Sequence, residues 1–241
     1  MTPTYFESPE SSPFALLDAA ECLLLDFDGP VCELFARHPA SLIAEEMRRY
    51  LDRHGIRPPN PATARSKDPH AMLGEPWPPG VAAELERILA HGEESAVPFA
   101  RETEGADEFV RAVALSGRLL AITTNNSPQA VETYLKSHSL ESVFGSRIYG
   151  RDQYDPARMK PDPDCLLRAM TALKVRPEQC LMIGDSPRDA EAARAARVSF
   201  LGYARSRSRV ARLQEIEPHP VVVGMRDLVV AASALSRRPN G

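Results

Sequence analysis

A chain of 241 residues, 43% hydrophobic and 26% charged, is long enough to bury a sizeable core, as one large domain or a core with one modest insertion. Its 29 Lys and Arg against 33 Asp and Glu leave a net charge of −4, which excludes the basic footprint of a nucleic-acid binder. The longest apolar stretches, such as Leu228–Leu235 with Ser233 inside it, fall far short of the ~20 residues that span a membrane. The opening MTPTYFESPESSPF has neither a basic start nor an apolar run, so no secretory signal is expected there. Cys22, Cys32, Cys165 and Cys180 form no CxxC pair and fit free thiols in a reducing, cytoplasmic setting.

The first predicted strand is Cys22–Phe27, a short apolar run of the kind buried on both faces of a parallel sheet. No further strand is predicted before Leu119. In that gap Leu42, Ile43, Met47, Tyr50 and Leu51 recur at helical spacing, as do Val81, Leu85, Ile88 and Leu89. The proline-rich stretch RPPNPATARSKDPHAMLGEPWPPG reads as a loop with a short helix, with Met72, Leu73 and Trp77 to bury. Residues 35–101 are therefore expected to form a helical insertion, and residues 1–34 and 102–241 an α/β core. Phe109, Ala112 and Val113 form a helical stripe that stops at Ser116-Gly117. Strands then alternate with helices: Leu119–Thr123, Pro128–His138 behind the capping pair Asn126-Ser127, Asp162–Leu173, Cys180–Ile183, Pro187–Arg197, Val198–Leu201 and Val221–Val223. That alternation predicts βαβ units, a Rossmann-like parallel sheet flanked by helices.

Ligands of such sheets sit at the carboxyl ends of the strands. The first strand ends in Asp26-Phe27-Asp28-Gly29, the second in Thr123-Thr124-Asn125-Asn126, and CLMIG runs into Asp185-Ser186-Pro187-Arg188-Asp189. Lys160 opens KPDPDCLLRAM. Four aspartates, a hydroxyl and a lysine thus converge on one rim. Two like charges 4 Å apart cost on the order of 4 kcal/mol at an effective dielectric of ~20. Such a cluster needs cations or raised pKa values. Lys160 supplies one charge, and Mg²⁺, which takes oxygen ligands, fits as the second source. Taken singly, each aspartate reads as a turn former or helix cap, Asp189 above all.

DFDGPV, ITTN, KPDPD and GDSPRD, in this order, resemble the four signature motifs of the haloacid dehalogenase superfamily of hydrolases. The interval from Asp26 to Thr124 has room for a helical cap of the C1 type, and that from Thr124 to Lys160 is too short for the large C2 alternative. The resemblance implies a Mg²⁺-dependent phosphatase acting on a small phosphorylated metabolite. It assigns Asp26 as the nucleophile that becomes an aspartyl-phosphate and Asp28 as general acid, then base. It assigns Thr124, helped by Asn125, and Lys160 to the phosphoryl group. It assigns Asp26, the Asp28 backbone carbonyl and Asp185 to the metal, with Asp189 as a further or water-mediated ligand. One departure is Pro30, where the family usually has Thr, because proline lacks an N–H that could orient Asp28. The resemblance also admits a phosphosugar mutase of the same superfamily, or a non-catalytic binding or regulatory protein on the same fold. A metal-free dehalogenase is disfavoured by Asp28 and Asp185. Monomer and dimer are left open.

The other features carry less. The six histidines form no ligand spacing, with His38 and His70 placed near a cleft between insertion and core. Lys67, the only lysine between Asp28 and Thr124, is expected on the surface. Arg205, Arg207, Arg209 and Arg212 read as a solvated face.

Overall fold

Leu23 and Leu25 face one core and Cys22 and Leu24 another, and all four are buried. An unbroken apolar run requires such a strand, covered on both faces. In the computed structural model, which describes residues 12–214 and 219–235, it is β1 (Cys22–Leu25). The reading of the first fourteen residues as free of a signal falls almost wholly on residues 1–11, outside the described ones. β1 lies between β4 (Leu119–Thr123) and β6 (Cys180–Gly184). With β5 (Ile148–Tyr149), β7 (Ser199–Ala204) and β8 (Val221–Val223) they form a six-stranded sheet in the order β5-β4-β1-β6-β7-β8. Every pairing in it is parallel. The fold is the expected Rossmann-like α/β sheet.

The alternation continues in the central strands. Leu120, Ile122, Leu181 and Ile183 point into the first core, and Ala121, Cys180 and Met182 into the second. Four helices cover the first: α1 (Pro13–Ala19), α5 (Ala106–Leu115), α6 (Pro128–Ser137) and α11 (Arg226–Ser233). α8 (Asp164–Leu173) and α9 (Pro187–Ala196) cover the second. Two short helices, α7 (Glu141–Phe144) and α10 (Arg207–Leu213), complete the layers. All four cysteines are buried free thiols.

Between β1 and β4 the chain forms α2 (Ala40–Arg53), α3 (Pro69–Leu73) and α4 (Pro79–Ala96). They share a separate apolar cluster that includes Ile43, Met47, Leu73, Trp77, Leu85 and Leu89, and the proline-rich loop supplies two of these. Leu42 departs from the predicted stripe and is exposed. The expectation of no second strand before Leu119 is corrected by a small antiparallel ladder. Here β2 (Cys32–Glu33) pairs with β3 (Arg101–Glu102) and joins the two passages between core and helices. Two-residue strands carry no periodicity, and Glu33 and Arg101 meet at a sequence separation of 68, so sequence pattern does not reveal the pair.

The start of α6 also differs from expectation. Ser127 is the N-cap, but its side chain makes no capping bond. The Ser127 N–H instead donates to Glu93 Oε2 of α4 at 2.9 Å.

Candidate active site

β1, β4 and β6 end side by side, so the residues that follow them meet at one edge of the sheet. Asp26, Asp28, Thr124, Asn125, Lys160, Asp185 and Asp189 all line a single cleft of about 320 Å³ there. Oxygens of Asp26, Asp185 and Asp189 lie within 4.8 Å of one another.

Lys160 is buried among these carboxylates. Its Nζ donates to Asp26 Oδ1 at 2.8 Å, to Asp189 Oδ1 at 2.5 Å and to the Thr123 carbonyl at 3.0 Å. An ammonium has three N–H bonds, and all are engaged here. Burial alone would lower the Lys160 pKa, but Asp189 and Asp26 hold it well above the ordinary lysine value. Asn125 fixes the backbone at this point: its Nδ2 donates to the Lys160 carbonyl at 3.0 Å, and its Oδ1 accepts from the Lys160 N–H at 2.7 Å. The Asn125 side chain, expected to help bind a phosphoryl group, lines the cleft and also holds the backbone of the lysine.

Asp189 is both cap and lysine partner. It sits at N3 of α9 in a capping box with Ser186, accepting the Ser186 N–H at 3.0 Å on Oδ2. Gly184 makes room for it, since a Cβ there would stand 2.5 Å from Asp189 Cβ. Gly29 does the same for Asp185. It adopts φ +130°, and a Cβ would lie 2.5 Å from Asp185 Cγ.

Of the two adjacent threonines, Thr123 turns into the sheet, its hydroxyl on Met182 Sδ at 3.3 Å. Thr124 lines the cleft. Asp28 is oriented by the Leu34 N–H, which donates to Oδ1 at 2.9 Å. Support for this carboxyl therefore comes from beyond Pro30. Burial raises the Asp28 pKa, against the lowering influence of that N–H, Arg205 and His70. Asp26 is raised by burial against Lys160. Asp185 is raised well above the carboxylate range by burial and by Asp26, Asp189 and Asp28. One lysine does not balance this cluster.

Around the cleft, the sequence reading holds for some residues, His70 among them, and fails for others. Arg205, read as part of a solvated face, turns inward to pair with Glu33, whereas Arg207 and Arg209 are exposed as expected and Arg212, also exposed, lines the cleft. His70 lines the cleft beside Asp68, which pairs with Arg188. His38 instead stacks on Phe99, and Lys67 is exposed. The largest omission is a buried ionic group. Arg151 donates to Glu86 Oε2 at 2.6 Å and to Glu93 Oε2 at 3.0 Å, and its side chain and that of Glu93 are 0% exposed. Glu86 and Glu93 are two turns apart on the apolar face of α4, between Leu85, Leu89 and Ala96. Paired acids at that spacing on an apolar face were the available signal.

A family model described as haloacid dehalogenase-like hydrolase matches residues 72–203. This chain belongs to the haloacid dehalogenase-like hydrolases. The matched span holds Thr124, Lys160, Asp185 and Asp189, while Asp26 and Asp28 lie before it and join them through the fold. A phosphoglycolate phosphatase of Rhodospirillum rubrum is 34% identical over 133 residues, 54% of this chain and 54% of that protein. A pyrophosphatase of Bacillus anthracis is 27% identical over 136 residues, 56% of this chain and 62% of that protein. The chain thus spans a little over half the length of these relatives. Among solved structures, a predicted phosphatase from Clostridium acetobutylicum superposes with a TM-score of 0.67 at 16% identity, covering 88% of this chain and 97% of the other. That likeness concerns the fold. Among the described residues, no helix of this haloacid dehalogenase-like hydrolase is long and apolar enough to cross a membrane.

Proposed function

We propose that the chain is a Mg²⁺-dependent phosphatase that hydrolyses a small phosphomonoester through an aspartyl-phosphate on Asp26. The observation that carries this reading is Lys160 Nζ held 2.8 Å from Asp26 Oδ1, inside a buried cluster with Asp185 and Asp189. The relatives named as phosphatases support the reaction class. The cleft supports the size and polarity of the substrate. At about 320 Å³ it stands near the small end of ligand pockets, and Pro187 alone among its lining residues is apolar. Residues 35–101 are the cap in this reading, placing Asp68 and His70 over a core of residues 1–34 and 102–241.

The donor set fits a hard divalent ion. Three carboxylates offer oxygens within reach of one another, and the raised pKa values of Asp26 and Asp185, buried beside like charges, mark a site short of positive charge. Asp26, Asp185 and the Asp28 carbonyl would hold Mg²⁺, with Asp189 placed more as the partner of Lys160 and Ser186 than as a ligand. When bound, the ion neutralises the carboxylates and offers positive charge to the phosphoryl oxygens.

The residues of the chain do the rest. Lys160 aligns the Asp26 carboxylate and, with its N–H bonds taken, acts on the phosphoryl group as a fixed positive charge. Asp26 attacks phosphorus while the bond to the leaving oxygen breaks. Asp28, its Oδ1 held by Leu34 and its pKa raised, gives its proton to that oxygen. It then takes a proton from the water that attacks phosphorus, releasing phosphate and free Asp26. Thr124 borders the space for the phosphoryl oxygens. With Asp28 supported by Leu34, Pro30 gives no ground for a non-catalytic reading.

The test is Asp26→Asn, which keeps the shape of the side chain and removes the nucleophile. Phosphate release should vanish while the thermal melt stays cooperative. Near wild-type release, with deamidation excluded by mass spectrometry, would overturn the assignment.

A further inference from the structure

Glu93 lies outside the scheme above and does not line the cleft, yet its carboxylate is the most heavily hydrogen-bonded in this part of the molecule. Oε1 accepts from Asn126 Nδ2 at 3.0 Å, Arg151 Nη1 at 3.0 Å and His70 Nε2 at 3.1 Å. Oε2 accepts from the Ser127 N–H at 2.9 Å and Arg151 Nη2 at 3.0 Å. Burial would raise its pKa, but Arg151 and His70 bring it down to about 2, so it is a carboxylate at neutral pH. It caps α6 from another element, placing negative charge at that helix's N-terminus.

The consequence reaches Thr124. A carboxylate only accepts, so the amide nitrogen of Asn126 must face Glu93. Its oxygen must then face Thr124, whose hydroxyl donates to Asn126 Oδ1 at 3.0 Å and accepts the Asn126 N–H at 3.2 Å. The Thr124 N–H is tied to the Tyr149 carbonyl at 3.1 Å. Glu93 therefore settles which end of the Asn126 amide the hydroxyl meets, and with it where the hydroxyl stands.

We propose that Glu93 is a positioning residue: acting through Asn126 from helix α4 of the insertion, it sets the Thr124 hydroxyl at the wall of the anion pocket. The inference rests on the phosphatase reading and extends it. The insertion becomes a structural part of phosphoryl binding as well as a cover. Anchoring α4 does not require these contacts, because the Arg151–Glu86 pair already joins it to the core. In the resting site Asn126 Oδ1 holds the hydroxyl proton. A phosphoryl oxygen takes it over by rotation of the hydroxyl alone.

The experiment is a pair of double-mutant cycles on the full chain in Mg²⁺ buffer, Glu93→Gln with Thr124→Ala and Asn126→Ala with Thr124→Ala. The readouts are inorganic phosphate affinity by calorimetry and kcat/KM for p-nitrophenyl phosphate. Gln sets an amide N–H against one of the donors that Glu93 now accepts. Each single change is expected to weaken phosphate binding about 10- to 100-fold, the scale of a lost hydrogen bond to a charged group. Once Thr124 is Ala, adding either change should cost no more than about twofold. Losses that multiply, or single variants that bind like wild type, would overturn the proposal. Should Glu93→Gln not fold, the Asn126 cycle decides, since it leaves the Arg151 and His70 bonds to Glu93 intact. Wild-type protein that binds phosphate but cleaves no ester would refute the phosphatase reading and leave the binding cycle to judge Glu93. Wild-type protein that binds no phosphate would overturn both.

Discussion

Replacing Arg151 with Met should destabilise the protein by about 3–5 kcal/mol, the cost of breaking a buried pair from one side. Met fills the volume of the arginine stem, so packing is nearly conserved and the charge is what is lost. In the native protein the guanidinium makes two bonds to Glu86, two to Glu93 and one, at 2.5 Å, to the Asn125 carbonyl. Without it two buried carboxylates share His70 as their nearest cation. With a urea m-value of about 2–3 kcal/mol/M, the unfolding midpoint should fall by about 1–2 M at pH 7. The pH dependence follows from Glu93. Its folded pKa lies below its unfolded value, so its contribution is present above about pH 4.5 and fades as pH falls towards about 2. The gap between wild type and Arg151→Met should therefore be widest above pH 5 and narrow on acidification. Adding Glu86→Gln to the variant should recover part of the loss, because it removes one of the stranded charges. The measurement is urea unfolding followed by circular dichroism from about pH 2.5 to about pH 8. A difference under about 1 kcal/mol, or one that does not change with pH, would refute the account of this cluster.

His70 gives the opposite pH sign. Burial alone would lower its pKa, but Asp68 and Glu93 raise it to about 9. Its stabilisation, on the order of 3 kcal/mol, should be complete below about pH 6.5 and disappear as pH rises through 9, as read from the stability difference between wild type and His70→Asn. Chelation with EDTA should stop hydrolysis and excess Mg²⁺ should restore it; activity indifferent to EDTA would remove Mg²⁺ from the scheme. Asp28→Asn should impair alkyl phosphates most, by up to about 10²–10⁴-fold in the first step. With p-nitrophenyl phosphate the same variant should show a burst of nitrophenolate and slow turnover in rapid mixing, and equal burst-phase losses for both esters would deny Asp28 the role of acid.

Much of this protein was legible before folding was considered. The apolar runs at Cys22, Leu119 and Cys180 dictated central strands because a strand covered on both faces needs no polar alternation. Their order along the chain then placed Asp26, Thr124 and Asp185 on one edge, since parallel strands end together. The choice of Thr124 over Thr123 agrees with the side-chain alternation of β4, which turns one hydroxyl into the sheet and leaves the other at the cleft.

What tertiary structure alone decided is who partners whom across long intervals. Nothing local says that Asn125 is engaged in holding Lys160, that Leu34 orients Asp28, or that β2 meets β3. Nor does it say that Glu93 reaches the loop after β4 and caps α6 in place of the Ser127 side chain. A sequence pattern reports which residues share one face of one element, because that depends on the period of the backbone. The partner of a buried charge depends on how two elements cross, and neither element's own sequence contains that crossing. Glu86 and Glu93 are out of place on the apolar face of α4 until Arg151 arrives from the loop after β5 to neutralise them.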